Sequence, residues 1–272
     1  MKRNILFLAI GLLFCSSTYG QTFKQDFRTA LKAKDLVQAE KILNAWDFAD
    51  ANDPELYSSY FNFYTTKSLE KDSTVLDKEY ADKALEFISE GIERYPTRYD
   101  MRLAKIIMLE RLRDFTTYTD EIINLINYSK KIEHNWKGEN FSLIKEPEEV
   151  FFGSVMEFQE KLFAEEKTSL YKNISRISNE MVKNYPKHTQ SWLNISTIHV
   201  LQKEYDKSIE ALLKAVDLEP KNAIVLFNIG HVYGLKGDIV NSKKYFELTV
   251  ANSTNKEERL KEAAQRKLDS MK

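Results

Sequence analysis

The sequence predicts an all-α protein, a right-handed α-solenoid of helical hairpins closed by a C-terminal capping helix. Three observations predict it. One pattern of large and small residues is read twice in direct succession, over Thr189–Asn222 and again over Ala223–Lys256. Elsewhere apolar residues recur at the i, i+3, i+4, i+7 spacing of an amphipathic helix. The 272 residues include only 8 Gly and 5 Pro, with 43% hydrophobic and 30% charged residues, a balance that favours helix over long irregular segments.

The two copies are the clearest elements. In the first, Trp192, Ile195, Ser196 and His199 mark a helix A, and Ser208, Leu212 and Ala215 mark a helix B before Pro220. In the second, Leu226, Ile229, Gly230 and Tyr233 are followed by Ser242, Phe246 and Thr249. Small residues let two helices approach, and the large ones fill the space beside them. Pro220 falls between helices, where a missing N–H costs least. Lys236-Gly237-Asp238 supplies a turn, with Gly for left-handed torsions and Asp to cap the next helix.

This spacing resembles the tetratricopeptide repeat (TPR), a helix-turn-helix unit of about 34 residues. His199 stands where Tyr is usual, Thr249 replaces an Ala, and no Pro closes the second copy. The resemblance implies a groove lined by the A helices that takes a protein or peptide partner and no cofactor. Carried onto this chain, the groove places are Gln190, Leu193, Asn194, Thr197, Val200 and Leu201, then Ile224, Phe227, Asn228, His231, Gly234 and Leu235. The family's best-known grip on a C-terminal carboxylate needs a Lys and an Asn. Here those places hold Leu193 and Thr197 in one copy and Phe227 and His231 in the other, and only Asn228, one place along, is similar. A chaperone tail is therefore disfavoured, and an extended peptide or a helix fits the mixed apolar and amide surface better.

Upstream the chain is read against that ruler. Lys2 and Arg3 precede an apolar run, Ile5–Phe14, too short to span a bilayer. Residues 1–20 read as a signal peptide with cleavage before Gln21. A lipoprotein signal at Cys15 fits less well, because Phe14 is bulky. Cys15 is the only cysteine, so a chain cleaved at Gly20 has no disulfide and no thiolate chemistry. The leader and the Lys/Asn/Ile-rich composition resemble exported proteins of Bacteroidetes type. Two triplets, Asp72-Ser73-Thr74 and Asp269-Ser270-Met271, resemble their O-glycosylation signal. A formal net charge of −1 argues against nucleic acid.

Residues 21–188 read as degenerate hairpins. Phe23–Lys34 and Gln38–Trp46 form the first, with Asp35, Ala39 and Leu43 at the offsets of Asp238, Ser242 and Phe246. Asn52-Asp53-Pro54 starts the next helix. Its Tyr57, Tyr60, Phe61 and Tyr64 make a core stripe, while Phe63 lies off it, facing a groove. Tyr80–Tyr95, Asp100–Leu112 and Asp120–Ser129 follow as helices. A loop spans Lys130–Lys145, and its Trp136 either tucks back onto a hairpin or waits exposed for a partner. Pro147–Glu166 is apolar round much of its circumference and reads as sandwiched; Ser169–Asn184 is its partner. Residues 257–272 read as the capping helix, and the hairpins as one continuous stack.

No catalytic set stands out. His134 sits in the loop near Glu133 and Glu139, and His188 in a turn. His199 and His231 lie on successive A helices, but no carboxylate at i+3 or i+4 supports a metal there. Phosphate loops, nucleophile elbows and zinc-protease motifs are absent. The leading expectation is a non-enzymatic exported scaffold without cofactor, metal or membrane span. One alternative is a subunit of an outer-membrane assembly or transport complex. Another is a carbohydrate-binding or enzymatic helical-repeat protein using Tyr57–Tyr64, which exposed rings there would favour and buried rings would exclude.

Overall fold

The computed structural model describes residue 20, residues 22–69 and residues 76–271. The leader ahead of Gly20 and the Asp72-Ser73-Thr74 triplet lie outside the described residues. The first helix of the described residues, α1, includes residues 22–32. There follow α2 (Leu36–Asp50), α3 (Pro54–Ser68), α4 (Lys78–Arg94), α5 (Tyr99–Arg111), α6 (Phe115–Lys131), α7 (Pro147–Ala164), α8 (Tyr171–Asn184), α9 (Thr189–Leu201), α10 (Tyr205–Leu218), α11 (Ala223–Lys236), α12 (Ile239–Asn252) and α13 (Glu258–Asp269). Among the described residues there is no strand beyond isolated bridges at Lys137, and no helix is long and apolar enough to cross a membrane. Helices pair with their sequence neighbours, the arrangement of an α-solenoid.

The caps explain where helices begin. The side chains of Asp35, Asp53, Asp77, Asn222 and Asp238 each accept a backbone N–H in the first turn of α2, α3, α4, α11 and α12. Pro54 sits in the first turn of α3, as its fixed φ permits.

The contacts divide the chain into two compact units. Unit 1 takes residues up to Glu121 together with Lys131–Gly153. Its first core joins Phe27, Leu43, Trp46, Leu56, Tyr60 and Phe63. Its second joins Tyr57, Phe61, Ala84, Ile88, Met101 and Met108. Phe63, expected to face a groove, is only 1% exposed. It belongs to the core because α3 is covered on two sides, by α2 and by α4, so the apolar face is wider than one stripe. Tyr57 and Tyr60 are buried as well. Phe61 is buried too and Tyr64 is half-buried, so this helix presents no fully exposed ring, and the carbohydrate reading loses the support that exposed rings would give.

Helices α3 and α4 come close together at Gly91. A Cβ placed there would lie 2.8 Å from Tyr57 Cβ and 3.1 Å from Met101 Sδ. Tyr57 Cβ is fixed to the backbone and cannot swing aside. Gly91→Ala should cost about 1–3 kcal/mol in urea denaturation despite its better helix propensity. An unchanged or raised midpoint would show that the helix pair yields.

Helix α6 starts at Phe115, ahead of the expected Asp120. Asp114 accepts from the Thr117 backbone N–H and hydroxyl, and Tyr118 and Thr119 are fully buried. Packing overrides the weak helix propensity of this Thr-rich turn. In α7 the expected all-round burial is not met: Val150 and Met156 are exposed, and Phe151, Val155, Phe158 and Leu162 form a single buried stripe.

Unit 2 takes Ile122–Lys130 together with Ser154 onward. Here α8 packs on α9, α9 on α10, α10 on α11, α11 on α12, and α13 covers α12 and α11. The core runs through Leu193, Leu212, Ala215, Val225, Ile229 and Val232. A smaller cluster of Phe246, Ala264 and Leu268, with Phe227 against it, lies under α13. The capping helix begins after a capping box between Thr254 and Glu257.

Candidate partner-binding face

The two clear hairpins of unit 2 are built on small-residue contacts. In the first, Ser196 and Ser208 hydroxyls meet at 2.7 Å. In the second, the Ser242 hydroxyl donates to the Gly230 carbonyl at 2.7 Å. Gly230 also makes room for a ring: a Cβ there would stand 3.1 Å from Phe246 Cδ1. The same places in successive copies thus do the same work with different atoms.

The groove residues named from the sequence fall into three groups. Leu193 is buried in the core between α9 and α11, and Phe227 packs edge-to-face on Phe246 at 5.3 Å, beneath α13. Gln190 and Asn194 belong to an amide chain. Gln190 Nε2 donates to Asn194 Oδ1 at 3.0 Å, Asn194 Nδ2 donates to Gln159 Oε1 at 2.9 Å, and Gln159 Nε2 donates to Ser178 Oγ at 2.6 Å. Gln159 is 2% exposed and its bond to Ser178 is buried, so this chain ties α7, α8 and α9 together through at least one hydrogen bond sheltered from water. Thr197 and Ile224 are exposed, and Asn228 and His231 are half-buried. Leu201 and Leu235 are exposed with them. The free part of the face is therefore Thr197, Leu201, Ile224, Asn228 and Leu235.

His231 is electrostatically set by its surroundings. Burial, together with the Lys267 ammonium, holds its imidazole below the ordinary range. The unfolded chain then takes up a proton at higher pH than the folded one, so stability falls as pH drops through about 6.5. His231→Gln should flatten the loss of melting temperature between neutral and mildly acid pH. An equal loss in both proteins would show that other groups carry it. His199 pairs instead with Glu204 across the α9–α10 turn, Nδ1 to Oε2 at 2.7 Å. Among the described residues no group of three or more His, Cys, Asp or Glu is gathered for a metal.

Unit 1 holds a second polar constellation that sequence reasoning missed. Glu55, 6% exposed on α3, receives Arg98 at 2.7 Å, Lys24 at 2.6 Å and the Asn140 backbone N–H at 2.8 Å. Arg98, fully buried, also holds Asp100 through two bonds of 2.8 and 2.7 Å. Burial alone would lower the Arg98 guanidinium, but Asp100 and Glu55 outweigh it and hold it above its usual range. The Lys130–Lys145 stretch supplies Asn140. It is ordered by backbone bonds from Tyr99 N to Lys137 O and from Lys137 N to Thr97 O. Trp136 tucks back against Tyr99, rings 5.1 Å apart, and is 1% exposed. No short motif announces this cluster, because its members lie on α1, α3, α5 and a loop.

Comparison with known proteins bears on this architecture. Residues 198–237 match the model of the TPR repeat. The match takes in the end of α9 and all of α10 and α11. No curated protein matches the chain. Among solved structures the chain is similar to a crystal structure of the MamA protein, at 12% identity over 87% of this chain and 92% of that one, TM-score 0.31. It is similar to MamA from Desulfovibrio magneticus RS-1, at 12% identity over 86% and 94%, TM-score 0.30. It is also similar to YrrB, a TPR protein described as having an unusual peptide-binding site, at 10% identity over 90% of each chain, TM-score 0.32. The solenoid class itself is carried by the helix pairing described above.

Proposed function

We propose that this chain is an exported, non-enzymatic scaffold that holds a protein or peptide partner on the A-helix face of α9 and α11. The observation that carries the reading is the row of uncovered Thr197, Leu201, Ile224 and Leu235, apolar but for one hydroxyl, on helices otherwise devoted to packing. A TPR match over residues 198–237, which takes in Leu201, Ile224 and Leu235, supports it, since such repeats bind proteins through their helices. Half-buried Asn228 adds an amide for a peptide backbone. Export is supported by the basic and apolar pattern of Lys2, Arg3 and Ile5–Phe14.

Site-specific photocrosslinking in the native cell tests the face. A crosslinker at Thr197 or Ile224 should trap the same partner, and one at exposed Lys214 on α10 should not. Equal capture from all three positions would remove the assignment. Mass spectrometry of the mature N-terminus should begin at Gln21. A lipidated Cys15 would instead place the protein on a membrane surface.

A further inference from the structure

The polar constellation of unit 1 surrounds a cavity of about 250 Å³ between α1, α3 and α5, with Lys24, Arg28, Glu55, Asn62, Asp100 and Glu139 in its walls. Two cations one turn apart on α1 converge on a single carboxylate that no helix of this face provides. Lys24 Nζ lies 2.5 Å from Glu139 Oε1, and Arg28 Nη2 bonds the same oxygen. Glu139 comes from the loop turn, and these cations hold its carboxyl below the usual range, Lys24 first.

The charges show what the site lacks without that turn. Withdraw Glu139 and the cluster keeps Lys24, Arg28 and Arg98 against Glu55 and Asp100. Glu55 already serves Lys24 and Arg98, and Asp100 serves Arg98. Arg28, half exposed, is then left facing the cavity without a carboxylate from the cluster. Meanwhile the Asn140 backbone N–H donates to Glu55 and its side-chain oxygen accepts from Lys24 at 3.1 Å. Side chain and main chain of a short peptide are thus recognised together, the side chain by cations and the N–H by a buried carboxylate.

The turn adds one ring contact to its polar ones: Phe141 meets Tyr95 edge to face at 6.0 Å and lies against the Arg98 guanidinium at 5.7 Å. Phe141 and Leu143 are 45% and 77% exposed. Asn140 and Phe141 both have φ near the left-handed region, 53° and 54°, which costs about 1 kcal/mol or more for Phe. Its grip on the face is the Phe141 ring together with the polar contacts of Glu139 and Asn140. We infer that the face of α1, α3 and α5 is a docking site for an acidic peptide segment of a partner protein, and that Glu139–Asn140 occupies it as an internal stand-in. The inference rests on the scaffold reading but uses a different unit and a different chemistry.

Fluorescence anisotropy of a labelled oligoglutamate peptide against the full chain tests it, with oligoglutamine as the uncharged comparison. Glu139→Ala frees the cations and should tighten oligoglutamate about tenfold over the parent chain, since the competing carboxylate is gone while Asn140 stays in place. Adding Arg28→Gln to Glu139→Ala should remove that gain. Both side chains are substantially exposed, and circular dichroism would report whether helix content survives. Unchanged affinity in Glu139→Ala, equal binding of oligoglutamine, or indifference to Arg28→Gln would each overturn the inference. Crosslinking from Thr197 and Ile224 reads α9 and α11 alone, so either result can fail without the other.

Discussion

Arg98→Ala should destabilise unit 1 by about 3–5 kcal/mol, a large share of a typical domain's stability. The guanidinium is fully buried and bonded to both Glu55 and Asp100. Its removal leaves Glu55 buried with Lys24 as its one remaining cation. The loss is then dominated by an undercompensated carboxylate rather than by missing contacts. Arg98→Ala with Glu55→Gln should recover part of it, because the buried charge goes too. Urea unfolding of the parent, the two single variants and the double variant closes the cycle. A single-variant loss below about 1 kcal/mol would mean that water reaches Glu55.

Phe246→Ala should cost unit 2 about 3–5 kcal/mol, the usual range for a fully enclosed ring. Phe246 is 1% exposed, stands against Gly230 and anchors both Phe227 and α13. Truncation therefore opens a cavity and loosens the capping helix together. Gly230→Ala in the parent presses a methyl against the ring; in Phe246→Ala the same methyl enters space the ring has left. The two changes should be less than additive, by thermal and chemical denaturation alike. Strict additivity would show that the ring and the small residue do not share that space.

The fold was legible where spacing alone specifies packing. Ser196, Ser208, Gly230 and Ser242 sit at helix crossings, as their size and period require. Asp53-Pro54, Asn222 and Asp238 begin helices because capping is a local reaction between a side chain and the next turn. The site was less legible. Burial of a groove position depends on which neighbour covers it: α13 takes Phe227, and Gln159 of α7 takes Asn194. Phe63 reads as off-stripe only while α3 is assumed to have one partner. The Glu55 cluster left no local trace, since Lys24, Arg98 and Asn140 stand 31, 43 and 85 residues from it.

That last separation changes how unit 1 can unravel. Arrays of hairpins ordinarily fray from their ends, each repeat leaning on its neighbour. Here Arg28 on the first helix bonds Glu139, 111 residues on, and Lys24 bonds Asn140 across 116. Helix α1 is pinned by the last loop of its own unit. Amides of α1 should therefore exchange with solvent together with those of α3 and α5, and the unit should open as one body. Closing so long a span delays folding, because the chain entropy is lost before the contacts are made. The polar cluster thus acts as a clasp that trades speed of assembly for all-or-none opening.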